Sequence, residues 1–130
     1  MGGFILPTHV RCSGMATPLA ERHCEVCTPD TPTLTRTEID QLLAELPGWT
    51  VVESGGHLEL TRTYKFKGFM PGVALVDRIA PIAEAEGHHP DLLLSYGTLT
   101  VRLWTHAAGG LTQNDFVLAA KVDQVAPKGA

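Results

Sequence analysis

Glu84-Ala85-Glu86-Gly87-His88-His89-Pro90-Asp91 is the stretch on which the reading of this chain turns. It is followed at short intervals by Tyr96, by Trp104-Thr105-His106 and by Gly110-Leu111-Thr112-Gln113-Asn114-Asp115. Neighbouring side chains diverge by about 100° on a helix and point to opposite faces of a strand, so an adjacent histidine pair seldom serves one site from a regular element. Here the pair lies at a break. Gly87 is a natural helix stop, and Pro90 disfavours helical backbone at His89. Irregular backbone at that point allows both imidazoles to turn into one pocket. The segment that delivers them is helical in pattern. Between Gly68 and about Glu86, the residues Phe69, Val73, Leu75, Val76, Ile79, Ala80, Ile82 and Ala83 spread over roughly half of a helical wheel. That is wider than a single sheet-facing stripe requires, and it predicts a second packing partner for residues 68–86, hence an oligomer. Pro81, in the helix interior, is expected to kink the axis.

Outward from this stretch, helical and extended patterns alternate. Thr35-Arg36-Thr37-Glu38 is a capping box with Leu34 and Ile39 placed as a hydrophobic staple. Ile39, Leu42, Leu43 and Leu46 follow at helical spacing until Pro47-Gly48 ends the run. Trp49–Val52 reads as a strand and Ser54-Gly55-Gly56 as its turn. In the return strand Leu58, Leu60, Tyr64 and Phe66 alternate with Glu59, Thr61, Thr63 and Lys65, giving one packed face and one polar face. Arg62 breaks the pattern on the apolar side. His57, where this strand begins, reads as a solvated turn residue with no role. Asp91–Tyr96 and Thr98–His106 form a second hairpin turning near Gly97. Leu99, Val101 and Leu103 face one way; Trp104 and His106 share the other face, an indole and an imidazole suited to a flat heteroaromatic ligand. Thr112-Gln113-Asn114-Asp115 opens a last helix, stapled by Leu111 and Phe116, that runs to about Gln124. The order is helix, two strands, long helix, two strands, helix, which is an α+β pattern.

Composition narrows the function classes. The 130 residues make one domain with room for a sizeable core, and 44% hydrophobic against 18% charged residues is a globular balance. A net charge of −4 argues against nucleic acid as a partner, because that would need a basic face. No apolar run approaches the roughly 20 residues that span a bilayer, and Gly3–Leu6 is too short for a signal-peptide core. A cytoplasmic location without membrane contact is expected. Residues 1–33, with Pro7, Pro18, Pro29 and Pro32 and no periodicity, read as an irregular extension, and Met15 is an equally good start. Residues 34–126 are then the folded domain and 127–130 a frayed tail. The extension carries His23-Cys24-Glu25-Val26-Cys27. A zinc site needs four ligands and Cys12 is the one other cysteine, so unmetallated thiols on a tail stand ahead of a metal or redox role.

For His88 and His89 three readings compete: a helix-end pair that caps carbonyls, a metal site shared with His106 and Asp115, and acid–base use. Imidazole titrates near neutrality and transfers protons at small driving force. No metal-type spacing supports the second reading. Asp115, at the third position after the Thr112 cap, has a structural use already, and its carboxylate can also orient a histidine. Glu84, one turn before His88, is either a ligand acceptor or a solvated helix residue. Trp104 either stacks on a ligand or covers a subunit contact.

The pattern Glu84-x-x-x-His88-His89-Pro90, with Tyr96, Thr105-His106 and Gly110-Leu111-Thr112-x-x-Asp115 at these spacings, resembles the pterin-4a-carbinolamine dehydratase family from about Leu34 to Gln124. The resemblance implies a two-layer α+β fold, a four-stranded antiparallel sheet with three helices on one face. It implies a hydro-lyase that dehydrates 4a-hydroxytetrahydropterin to quinonoid dihydropterin in tetrahydrobiopterin recycling, with neither metal nor organic cofactor. It further implies His88, His89, His106 and Asp115 as catalytic residues, and substrate contacts from Glu84, Gly87, Pro90, Trp104, Thr105 and Ala107. A homodimer or homotetramer through the 68–86 helix and sheet edges is expected. Trp104 departs from the small polar residue expected there, and the extension lies outside the pattern. The competing class is a non-catalytic relative, acting as a dimerisation partner of transcription factors or as an assembly chaperone. Retention of the histidines favours the enzyme.

Overall fold

Two hairpins of alternating residues build the sheet. The structure, a computed structural model, describes residues 17–130; Cys12 and the alternative start at Met15 lie outside the described residues. Strand β1 (Thr50–Ser54) returns as β2 (His57–Lys65), and β3 (Asp91–Ser95) returns as β4 (Thr98–Leu103). The first hairpin closes in two residues, with Ser54 paired to His57. Gly55 and Gly56 there have φ of 59° and 87°, which the tight turn demands and glycine supplies without strain. The sheet is antiparallel in the order β1-β2-β4-β3, so β2 and β4 pair at its centre, from Leu60 opposite Leu103 to Lys65 opposite Thr98.

Alternation then separates the faces. Leu60 and Tyr64 of β2 and Leu99, Val101 and Leu103 of β4 are buried. They meet Ile39 of α1 (Arg36–Leu43), Leu75 and Ile79 of α2 (Met70–Glu86), and Phe116, Val117, Leu118 and Val122 of α3 (Gln113–Val125) in one core. The expected αββαββα order and four-stranded antiparallel sheet are thus present. The second strand of the second hairpin ends at Leu103, short of His106. Helix α2 has Pro71 in its first turn, where a missing N–H costs nothing, and runs on through Pro81. It stops at Gly87, whose φ of 66° is left-handed, and the His88 N–H donates to the Ala83 carbonyl at 3.2 Å. Of the wide apolar face of α2, Gly72, Leu75, Ile79 and Ala83 are buried. Val73, Val76 and Ile82 stay half-buried, and Phe69, Met70 and Ala80 stay exposed.

Arg62 interrupts the apolar alternation because α3 provides its counter-charge. Its Nη1 donates to Asp123 Oδ1 at 3.0 Å and its guanidinium lies 4.6 Å from the Tyr64 ring centre. The Tyr64 hydroxyl donates to the same carboxylate, and Trp49 Nε1 donates to its other oxygen at 2.9 Å. Burial and the Asp123 carboxylate push the Tyr64 hydroxyl well above its ordinary titration range.

Residues 17–33, the described part of the 1–33 extension read from composition as irregular, pack in part on α3. Leu19, in a short 3-10 turn (Leu19–Glu21), is buried, Lys121 Nζ donates to the Ala20 carbonyl at 2.8 Å, and Leu34 N–H donates to the Leu111 carbonyl at 2.8 Å.

The Asp123 cluster yields a stability prediction. Asp123→Ala strips three donors of their acceptor and should lower the unfolding free energy by about 2–4 kcal/mol. Asp123→Asn should recover part of that, both read from urea unfolding curves.

Candidate functional site

Three chain breaks converge at one end of the sheet: the end of α2, the end of β4 and the start of α3. After Leu103 the chain makes a tight loop, closed by Thr105 N–H to the Gly110 carbonyl at 2.9 Å and the reverse bond at 3.3 Å. His106 therefore sits on this loop rather than on a strand. Asp115 opens α3 and accepts the Thr112 N–H at 3.0 Å.

Asp115 is fully buried and joins all three breaks. Its Oδ1 lies 2.6 Å from His88 Nε2, and its Oδ2 accepts from Thr105 Oγ1 at 2.9 Å as well as from Thr112. Thr105 and Thr112 hydroxyls are themselves 2.8 Å apart. With the carboxylate ionised, Nε2 of His88 carries the proton and Nδ1 is left as the acceptor. The two uses considered for Asp115, helix start and histidine support, coexist in one side chain.

A cleft of about 540 Å³ opens in front of this cluster. Gly87, His88, His89, Pro90 and Asp91 line it from the turn after α2, and Trp104, Thr105, His106 and Ala107 from the loop after β4. All three imidazoles thus border one cavity of a size that suits a bicyclic ligand. Two of the expected residues are not in the lining. Asp115 stands behind His88. Glu84 is exposed on α2 and reaches back to His89 Nε2 at 2.9 Å. Tyr96 is 80% exposed and away from the cleft.

Several lining or supporting residues escaped the sequence reading. Glu25, Val26 and Cys27 of the N-terminal segment and Asn114 of α3 complete the lining. His57, read as a solvated residue without a role, is the clearest correction. Its ring stacks on Trp104 at 3.6 Å between centroids, and Trp104 stacks on His106 at 3.9 Å. His57 Nε2 also lies 2.8 Å from Glu59, which Arg102 holds from the other side at 2.8 Å. Burial pushes the Glu59 carboxyl up, but the bonds from His57 and Arg102 outweigh it and hold the group below its ordinary value. The signal was strand parity: His57 falls on the polar face with Glu59, as Trp104 does with Arg102, but only the β2–β4 register brings the faces together.

The thiols are not a free tail. Cys24 is partly buried and donates to the Asn114 carbonyl at 3.6 Å. Burial first, then the nearby Glu86 and Asp115 charges, push its pKa up to about 12, so it stays protonated at neutral pH. Among the described residues no group of three or more His, Cys, Asp or Glu side chains is arranged to hold a metal ion. Among them, too, no helix is long and apolar enough to cross a membrane.

A sheet backed by three helices, with imidazoles from two chain breaks on one cleft, defines a small α+β protein with a polar ligand site. The chain belongs to the pterin 4 alpha carbinolamine dehydratase family, whose sequence profile matches residues 32–125. A protein of Marinobacter nauticus, provisionally named a pterin-4-alpha-carbinolamine dehydratase, is 41% identical over 107 residues, covering 82% of this chain and 96% of that one. The crystal structure of a transcriptional coactivator/pterin dehydratase from Brucella melitensis is 32% identical, with a TM-score of 0.67 over 74% of this chain and 100% of that one. A pterin dehydratase-like protein described as a RuBisCO assembly factor in the alpha-carboxysome shares the fold at 20% identity and a TM-score of 0.52, over 62% of this chain and 92% of that one.

The Glu59 network predicts an acid-sensitive contribution to stability. A carboxyl held below its unfolded value stabilises fully above that value, about 4.5, and its contribution fades as pH falls through the lower folded value. Glu59→Gln should therefore be less stable than the parent at pH 7. The difference should shrink as pH falls from about 4.5 through the lower folded value, as thermal unfolding across pH will show.

Proposed function

We propose that this chain is an active hydro-lyase acting on 4a-hydroxytetrahydropterins, converting them to quinonoid dihydropterin and water and so serving tetrahydrobiopterin recycling. The observation that supports it most is the three-imidazole cleft backed by the buried Asp115 on His88. Loss of water across N5 and C4a needs one proton delivered to the departing C4a hydroxyl and one removed from a ring nitrogen. Side chains that titrate near neutral pH can do both.

His88 and His106 form the proton-transfer pair in this reading. His88 takes the base role, because a carboxylate on Nε2 fixes its tautomer and leaves Nδ1 to accept the proton. His106, flat against Trp104, borders the same cleft from the loop after β4. His89, more exposed and tied to Glu84, holds and polarises the pterin. Trp104, Thr105, Ala107, Gly87 and Pro90 shape the slot around the ring. The uncovered apolar stripe of α2 supports a homo-oligomer through residues 68–86. The non-catalytic alternative has no observation of its own in this chain.

Turnover of a 4a-hydroxytetrahydropterin tests the proposal. His88→Ala and His106→Ala should each lower kcat by about 10²–10³, within the usual range for general acid–base groups. His89→Ala should mainly raise KM. Chelators should leave the rate unchanged. If His89→Ala costs more turnover than either of the others, the division of roles is wrong, and if the parent protein has no activity the non-catalytic reading takes over.

A further inference from the structure

The segment His23–Cys27 lies outside the part of the chain matched by the family profile, yet it borders the cleft and is fastened on both sides of it. Asn114, 7% exposed, grips the backbone of Glu25 twice: its Nδ2 donates to the Glu25 carbonyl at 2.6 Å and its Oδ1 accepts the Glu25 N–H at 2.9 Å. Glu86 accepts the Cys24 N–H at 2.7 Å and holds His23 Nδ1 at 2.8 Å. Burial raises the Glu86 carboxyl, but the Cys24 N–H, His23 and Lys121 together keep it below its ordinary value, so the fastening is charged at neutral pH.

The two anchors are chain neighbours of the acid–base residues. Glu86 lies two positions before His88, and Asn114 is next to Asp115. The strap therefore ties the end of α2 to the start of α3 at the place where His88 meets Asp115. Beyond its anchors it presents Val26 to the cleft, an apolar side chain that is 92% exposed in the chain by itself, with Cys27 beside it. Cys27 is kept in place by Asn114 Nδ2 at 3.2 Å. A hydrophobic side chain on the lining of a ligand cleft gains burial only when the cleft is filled.

We propose that residues 23–27 are a built-in wall of the binding site, with Val26 a substrate-positioning residue that packs on the pterin and Asn114 the clamp that holds the wall. This rests on the pterin reading above. It makes the N-terminal segment part of the substrate site rather than an appendage, and it assigns the Cys-x-x-Cys spacing to shaping that wall, not to metal.

Full-length Val26→Asp tests it, since an exposed position tolerates the change without unfolding. Titration with 7,8-dihydrobiopterin and steady-state dehydration should show Kd and KM raised about tenfold with kcat altered by less than about threefold, the signature of lost binding that is equal in ground and transition states. Val26→Leu should restore parental values, and Asn114→Ala should raise Kd in the same direction. A parental Kd and KM in Val26→Asp overturns the wall. So does a Val26→Leu variant as impaired as Val26→Asp. If the parent protein binds and turns over pterin while Val26→Asp is indistinguishable from it, only the wall is lost. If the parent protein does neither, the functional reading fails and takes the wall with it.

Discussion

One buried carboxylate organises the working end of this molecule. Asp115 accepts from the loop after β4, from the start of α3 and from His88 at the end of α2. A carboxylate without solvent is costly to keep charged unless its lone pairs are filled, and three donors fill them here. The requirement runs both ways. The ion needs donors from three separate elements, so the elements are held in register by it, and the imidazole on the first of them inherits a fixed orientation. Positioning of the site and stability of the fold are in this respect the same set of bonds.

The far wall of the cleft follows a different principle. Trp104 lies flat between two imidazoles, at 3.6 and 3.9 Å, and the inner one is held by a carboxylate–guanidinium pair on the outer face of the sheet. Stacking sets the tilt of His106 without using either of its ring nitrogens. One histidine is thus fixed through a nitrogen and the other through its ring face, and both border the same cavity. The central pairing of β2 with β4 makes this possible, because it places the start of one strand beside the end of the other.

Local rules were legible in the sequence, and distant pairings were not. The Thr35–Glu38 capping box, the alternation of Leu58, Leu60 and Tyr64 and the Gly87–Pro90 break each depend on residues within a few positions of one another, so periodicity and turn chemistry exposed them. Arg62 showed as an anomaly and no more, since its explanation, Asp123, lies in the last helix. His57 was invisible as a supporting residue because its value depends on which strand lies next to it. His106 was placed on a strand because alternation continues past Leu103, whereas the Thr105–Gly110 bridge turns the chain away. Residues 23–27 gave a Cys-x-x-Cys spacing but no sign of where it packs: they have no regular structure of their own, and what gives them a place is Asn114 and Glu86, far along the chain.

The left-handed turn at Gly87 has an effect on how this sequence can vary. Its φ of 66° suits a residue without Cβ, and the next N–H closes the helix on Ala83. Both adjacent imidazoles are aimed by that one backbone angle, so any other side chain there disturbs the pair together rather than one member at a time. In a randomised library selected for the activity proposed above, position 87 should return glycine with little company, while Ala85, exposed two residues earlier at the end of the same helix, should accept many alternatives. The residue with the least chemistry in the motif thus sets the path of the two with the most.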